Sequence, residues 1–290
     1  MLKMHGFSAR RGIDVLINKS LISISGDNHL EMHDLLQEMG QSIVHEQCTH
    51  NLGKRSRLWN AKDVYQVLKN RMGTTKLQAI HSDISTIPEL QLNPDTFKNM
   101  HNLRLLKFSA QPNVDNKMHL PEGLESFPEE LRYLYWERYP SESLPSEFSP
   151  HNLVELHMPN GKVKKLSHNG QFPNIEAIDL CWCTSLVQVP KSFMKNLDKL
   201  TRLELAGCSS LKASPELPRN LRQLDLSSCS QLTEVPDLSR CPNVEEIDLC
   251  RCTSLVQLPK SIFKNLDKLF RLQLAKCSSL KVCPELPRNI

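Results

Sequence analysis

Residues 175–220 read IEAIDLCWCTSLVQVPKSFMKNLDKLTRLELAGCSSLKASPELPRN, and residues 244–289 read VEEIDLCRCTSLVQLPKSIFKNLDKLFRLQLAKCSSLKVCPELPRN. The second stretch repeats the first, a tandem duplication. Inside each copy lies a shorter unit of roughly 21–25 residues, L-x-x-L-x-L-x-x-C-x-x-L-x-x-x-P. Its apolar positions can be followed backwards: Leu269/Leu272/Leu274, Val244/Ile247/Leu249, Leu221/Leu224/Leu226, Leu200/Leu203/Leu205 and Ile175/Ile178/Leu180. Degenerate copies precede them at Leu153/Leu156/Met158, Leu131/Leu134/Trp136 and Leu103/Leu106/Phe108, with a weaker one near Leu77.

The central L-x-L makes a short strand whose leucines point one way. The later leucine and proline turn the chain around a common core. One unit cannot bury its leucines alone, so stacked units share a continuous one. A string of amphipathic helices is excluded, because proline recurs inside every unit. The expected fold is α/β: a leucine-rich-repeat solenoid, or horseshoe, over residues 103–290. Residues 73–102 read as a linker with a degenerate first repeat.

Cys181-Trp182-Cys183 and Cys250-Arg251-Cys252 look like metal-ligand pairs. The repeat gives another reading. Cys183, Cys208, Cys229, Cys252 and Cys277 all occupy the same repeat position, where a small side chain packs inside the turn after the strand. One thiol per coil makes a ladder spaced at about 4.8 Å if the strands are parallel, not a tetrahedral cage. No metal site is expected. Cys181 and Cys250 fall on the turn surface.

Composition narrows the class. The 290 residues are 39 % hydrophobic, with 10 glycines, 18 prolines and a net charge of +4. That charge is too mild to imply nucleic acid. No run of about 18 apolar residues spans a membrane, and MLKMHGFSARRG lacks a signal peptide's apolar stretch. A cytoplasmic or nuclear protein is expected, with its ten cysteines reduced.

In a horseshoe the residues between the leucines face the concave surface. They run Arg104, Leu105, Lys107; Arg132, Tyr133, Tyr135; Val154, Glu155, His157; Glu176, Ala177, Asp179; Thr201, Arg202, Glu204; Arg222, Gln223, Asp225; Glu245, Glu246, Asp248; Phe270, Arg271, Gln273. The face begins basic, passes two tyrosines and becomes mainly acidic. Tyrosine and arginine are frequent binding anchors. The candidate partner-binding residues are therefore Arg104, Lys107, Arg132, Tyr133, Tyr135, Glu155, His157, Asp179, Glu204, Asp225, Glu245, Glu246 and Asp248. The alternative is a solvated face with no dedicated partner.

Residues 1–72 differ in character. Ile13, Leu16 and Ile17 keep a helical period; an alternating stretch from Leu21 to Ser25, a turn at Gly26-Asp27-Asn28 and a strand around His29–Met32 read as a hairpin. A helix follows from Asp34 with Leu35, Leu36, Met39, Ile43 and Val44 on one face. Helix, hairpin, helix is the core of a winged-helix module. Residues 60–68 read as another helix. Asp34 before an apolar run reads as an N-cap. His29 and His33 lack the H-E-x-x-H pattern. Lys54-Arg55-Ser56-Arg57 reads as a surface turn, or as a nucleic-acid or nuclear-import patch.

The order of these motifs resembles a known family. GIDVLINKSLISISGDNHLEMHDLLQEMGQSIV, then GKRSRLW, then a proline-punctuated leucine-rich repeat is similar to plant nucleotide-binding leucine-rich-repeat immune receptors of the Toll/interleukin-receptor class. FKNM leading into NLRLLKF (residues 97–108) has the same character. The resemblance implies that residues 1–72 are a partial winged-helix domain closing a nucleotide-binding region. It implies that Met32, His33 and Asp34 form a Met-His-Asp motif, with His33 reading the phosphate end of ADP and Asp34 supporting it. The chain departs from the family in lacking the signalling domain and the G-x-x-x-x-G-K-[ST] loop. Ile290 opens a repeat that does not finish, so the reading is a fragment or a truncated product. The family's NAD-cleaving activity belongs to the missing domain, so no enzyme is expected.

The expected function is protein recognition and autoinhibition in plant defence. The expected partner is a pathogen effector, a guarded host protein or the receptor's own nucleotide-binding domain. The alternatives are an ADP/ATP switch whose nucleotide domain lies outside this chain or acts in trans, and a nonfunctional truncated product.

Overall fold

A computed structural model describes residues 9–26, 30–148, 150–166, 172–194, 197–236, 238–259 and 262–282. The chain begins with helix α1 (Ala9–Asn18) and an antiparallel hairpin of β1 (Ser23–Ile24) and β2 (Leu30–Glu31). Helix α2 (Asp34–Glu46), β3 (Arg57–Leu58) and α3 (Ala61–Lys69) follow. This is the helix, hairpin, helix order expected of the front module. His5-Gly6-Phe7, Asp27-Asn28, His29 and Ile290 lie outside the described residues.

A ten-stranded parallel sheet carries the rest. After β3 it takes β4 (Ala79–Asp83), while β5 (Leu90–Gln91) pairs separately with β7 (Met118–His119). The main sheet continues through β6 (Leu105–Ser109), β8 (Tyr133–Trp136), β9 (Glu155–His157) and β10 (Ala177–Asp179). After the short α4 (Lys191–Met194) come β11 (Arg202–Glu204), β12 (Gln223–Asp225), β13 (Glu246–Asp248) and β14 (Arg271–Gln273). Strand order follows chain order, as in a solenoid adding one coil at a time.

Each coil places its leucines as the repeat dictates. Leu103, Leu106 and Phe108 are fully buried, and so are Leu134, Trp136, Leu156, Ile178, Leu205 and Leu226. The degenerate coils fill the same core with aromatic rings: Trp136 meets Phe108 edge-on at 4.9 Å and Tyr139 at 5.3 Å. Such pairs add about 0.5–1.5 kcal/mol beyond their burial.

The thiol ladder takes the expected form. The Sγ atoms of Cys183, Cys208, Cys229, Cys252 and Cys277 donate to the carbonyls of Met158, Leu180, Leu205, Leu226 and Leu249, at 3.0–3.2 Å. Each thiol thus ties its coil to the one before. Burial pushes Cys183, Cys229 and Cys252 up to about 12, which keeps them protonated as donors.

A second ladder has no counterpart in the leucine pattern. The side-chain amides of Asn102, Asn152, Asn174 and Asn220 donate to the carbonyls of Thr75, Glu129, His151 and Asp198 in the preceding coil. An asparagine directly before the first apolar residue of a coil was the available signal. Just after the strand, the coils of β8 to β14 also hold one residue each in left-handed conformation: Arg138, Asn160, Trp182, Gly207, Ser228, Arg251 and Lys276.

The solenoid sheet starts earlier than residue 103. Leu77 is buried beneath β4, and β3 lies inside the stretch assigned to the front module. Leu58, Val64, Val67 and Leu68 belong to the same apolar core as the repeats. A two-residue strand is enough to join the sheet, because Gln78 and Ala79 donate backbone bonds to the carbonyl of Ser56.

The basic run is not a surface turn throughout. Arg55 is 5 % exposed. Its Nε donates to the Cys48 carbonyl at 2.9 Å and its Nη1 to Asp63 Oδ2 at 2.8 Å. It clamps α3 to the chain leaving α2, because a buried guanidinium needs its donors satisfied.

Candidate functional site

The parallel registers align the strand residues that alternate with the core leucines into two rows across the sheet. One runs Ala79, Leu105, Tyr133, Glu155, Ala177, Arg202, Gln223, Glu246, Arg271; the other runs His81, Lys107, Tyr135, His157, Asp179, Glu204, Asp225, Asp248, Gln273. Ten of the expected partner-binding residues stand in these rows: Lys107, Tyr133, Tyr135, Glu155, His157, Asp179, Glu204, Asp225, Glu246 and Asp248. Arg104, Arg132 and Glu245 do not. They precede β6, β8 and β13 by one residue and sit at the strand entrances, where Glu245 pairs with Arg222 at 3.1 Å.

His157 is the centre of the face. Its Nε2 lies 2.9 Å from Glu155 Oε2 and its Nδ1 3.5 Å from Asp179 Oδ2. The rings of Tyr133 and Tyr135 lie 5.4 and 5.9 Å from the imidazole, and Lys107 Nζ stands 5.4 Å over Tyr135. Tyr133, Leu105, Ala79 and Tyr135 form a small apolar cluster outside the main core. An aromatic, half-dry platform thus sits beside paired charges.

The electrostatics follow from that packing. Burial pulls His157 down, but its hydrogen bonds to Asp179 and Glu155 outweigh it, and its pKa is raised above 6.5. The His157 hydrogen bond holds Glu155 below the usual range. Burial opposes the same effect at Asp179, but His157 and the Cys181 amide win. Burial, with Glu155 or Glu137 nearby, pushes Tyr133 and Tyr135 up to about 12, so both stay neutral donors. Burial and the neighbouring Asp179 raise Glu204.

Donor atoms of Asp179, Cys181 and Glu204 come within 4.8 Å of one another. Burial and the Asp179 charge push the Cys181 thiol far up, and a thiol must lose its proton to hold a metal. One oxygen of the cluster already serves the turn, since Asp179 Oδ1 accepts from the Cys181 amide at 2.8 Å.

At the front, the structure corrects the assignment of the cap. His33, not Asp34, is the N-cap of α2: its Nδ1 accepts from the Leu35 amide at 3.2 Å. Asp34 is the first helical residue, where its charge suits the helix dipole. An accepting Nδ1 puts the ring proton on Nε2. His33 is exposed beside a cleft lined by Ile17, Leu21, Ile22, Ile24 and Glu31. Among the described residues of that lining there is no lysine or arginine.

Residues 1–48 match the family described as "Disease resistance protein Roq1-like, winged-helix domain". The chain is 39 % identical over 316 residues to the disease resistance protein RPP2A of Arabidopsis thaliana, covering 100 % of this chain and 24 % of that one. Against RPS6 of the same plant the identity is 32 % over 373 residues, covering 96 % of this chain and 33 % of the relative. Over its whole length this chain is similar to plant disease resistance proteins. It spans about a quarter to a third of the length of these resistance proteins. Another of them, RRS1, is 32 % identical over 339 residues, covering 99 % of this chain and 26 % of RRS1. The fold is shared more widely. The leucine-rich repeat domain of the type III effector XopL aligns with a TM-score of 0.51 at 18 % identity, over 82 % of this chain and 81 % of that one.

Proposed function

We propose that this chain is the recognition and autoinhibition part of a plant innate immune receptor, binding proteins through the exposed face of its sheet. The observation that carries this reading is the central platform of Tyr133, Tyr135 and His157 with Glu155 and Asp179. Tyr135 offers rigid contact area at low entropic cost, with the His157 ring tilted against it and the Tyr133 ring tilted against the imidazole. A pathogen effector or a guarded host protein is the partner for this face.

The receptor's own nucleotide-binding domain is the partner for the front module. Leu35, Met39 and Ile43 form a stripe along α2, each at least 60 % exposed, of the kind a packed neighbour covers. No catalytic role is assigned to the chain, and the compartment assigned is the cytoplasm, with the nucleus second. Among the described residues no helix is long and apolar enough to cross a membrane.

The test is photo-crosslinking in leaf cells challenged with a recognised pathogen. A photoreactive phenylalanine at Tyr135 should give protein adducts, while one at the exposed Glu216 should not. Equal labelling from both positions defeats the reading.

A second reading is favoured by His33, whose Nε2 can donate to a phosphate presented by another domain. Calorimetry of this chain with ADP should show no heat of binding. Tight binding would make it a nucleotide switch in its own right.

A further inference from the structure

The acidic half of the sheet face is not uniform. On β9–β14 the two rows hold six carboxylates against two arginines and His157, although the whole chain carries +4. The first row neutralises itself. Arg202 lies 3.8 Å from Glu155, and Glu246 lies 3.3 Å from Arg271 and accepts from Gln223 at 3.1 Å.

The second row places Asp179, Glu204, Asp225 and Asp248 directly side by side on four neighbouring strands. Like charges opposite one another in a sheet are destabilising. His157 meets Asp179, and Arg202 reaches Glu204 at 3.5 Å. Among the described residues no cation stands within ion-pair distance of Asp225 or Asp248. Turn chemistry uses one oxygen of three of these acids: Asp179, Asp225 and Asp248 each accept from the amide two residues on. An asparagine would serve that purpose. The negative charges of Asp225 and Asp248 are therefore surplus to the turns they close.

A second feature stands at the same edge of the sheet. Trp182 is 54 % exposed. It holds φ at 62°, a region costly for a bulky side chain. Its indole lies across Gly207, where a Cβ would come within 2.5 Å of the ring. One face of the ring rests on glycine, and the residue is largely open to solvent.

The duplication supplies an internal control. The two copies differ at eleven of 46 positions. Buried differences keep apolar character, such as Val189 against Leu258 and Met194 against Phe263. Differences at the face change chemistry. Trp182 faces Arg251 in the alignment, Gly207 faces Lys276, and Glu204 faces Gln273. The first copy thus combines an open indole with an unbroken carboxylate row, and the second carries two cations where the first has none.

We propose that the sheet face over β10–β13 binds an arginine-bearing basic segment of a protein partner, its cations along the Asp179–Glu204–Asp225–Asp248 row and one guanidinium stacked on Trp182. Charge complementarity selects the cation. The indole selects arginine over lysine, because a planar guanidinium stacks while an ammonium stays hydrated. This inference rests on the recognition role proposed above and adds the chemistry of the partner.

The probes are fluorescein-labelled nona-arginine, nona-lysine and nona-glutamate, titrated against the full chain by fluorescence anisotropy. Nona-arginine should bind best, nona-lysine more weakly, and nona-glutamate not at all. The double variant Glu204→Gln/Asp225→Asn, which keeps the turn acceptor, should weaken nona-arginine by about tenfold. Trp182→Ala should abolish the preference for arginine. Glu216→Gln, at a surface pair with Lys191, should change nothing. Hydrogen exchange of the wild-type chain with nona-arginine adds a readout independent of any variant, and protection should concentrate on β10–β13, residues 177–248. Equal binding of nona-glutamate, equal loss in Glu216→Gln, or protection spread evenly over the chain overturns the proposal. Should nona-arginine fail while crosslinks from Tyr135 persist, the basic partner is refuted and the recognition role stands. Loss of the Tyr135 crosslinks alone refutes the role.

Discussion

His157 concentrates the chemistry of the sheet face in one side chain. It is 8 % exposed and is faced by Glu155 on its own strand, itself 3.8 Å from Arg202, by Asp179 from the next strand, and by Tyr133 and Tyr135 from the strand before. Its folded pKa lies above its ordinary value of 6.5. The imidazolium's stabilisation is therefore full below that value and is lost as pH rises through the raised folded one. Melting curves of wild type and His157→Gln should differ most below about pH 6.5, by about 1–2 kcal/mol, and the gap should narrow as pH rises through the raised folded value. A gap that widens with pH would mean the histidine is held neutral. The thiol ladder makes a second residue-scale claim. Cys229 is fully buried, and its thiol is pushed up to about 12. Alkylation by iodoacetamide near pH 8 should spare it in the native chain and reach it only in denaturant. Cys229→Ala should cost about 1–2 kcal/mol, from the lost S–H donor and the small void.

Among the elements, β3 and α3 show what one arginine can organise. Arg55 is buried against Asp63 and the Cys48 carbonyl, so Asp63→Ala strands a guanidinium inside the protein. That substitution should cost about 2–3 kcal/mol and speed hydrogen exchange in α3 ahead of β6–β13. Uniform exchange would make the clamp irrelevant. The leucine phase made strands β6 and β8–β14 legible in advance, because each needs only an L-x-L between turns. It could not reveal β3, which is only Arg57 and Leu58, set between Ser56 and Trp59. Its place in the sheet depends on backbone bonds to the next coil, which no side-chain period records. The cap of α2 was misread for a related reason. Aspartate is the commoner N-cap, yet the helix starts one residue earlier, at Asp34, and the His33 imidazole takes the bond. The apolar period of α2 was read correctly, but only Val44 of that stripe is buried. Periodicity reports a surface that wants covering; it does not say by what.

At the scale of the whole molecule, the repeats make stability a matter of neighbours. Each coil touches the coil before it and the coil after it, through sheet bonds, leucines, thiols and asparagines, so a solenoid behaves as a chain of coupled units. The duplication made the coil legible, but not which residues of the exposed face act together. That grouping came from strand register, which puts His157, Asp179, Glu204 and Asp225 in one row although about twenty residues separate each from the next. A defect in one coil should also be felt through its contacts before it is felt at a distance. Leu224 is 1 % exposed on β12 and stands in register with Leu203 and Ile247. Leu224→Ala should remove about 3 kcal/mol from its coil. Hydrogen exchange should then rise most in β11–β13, less in β8–β9, and least in the front module. An equal rise in all strands would show the solenoid melting as one cooperative body, and coupling between coils would then exceed what nearest neighbours supply.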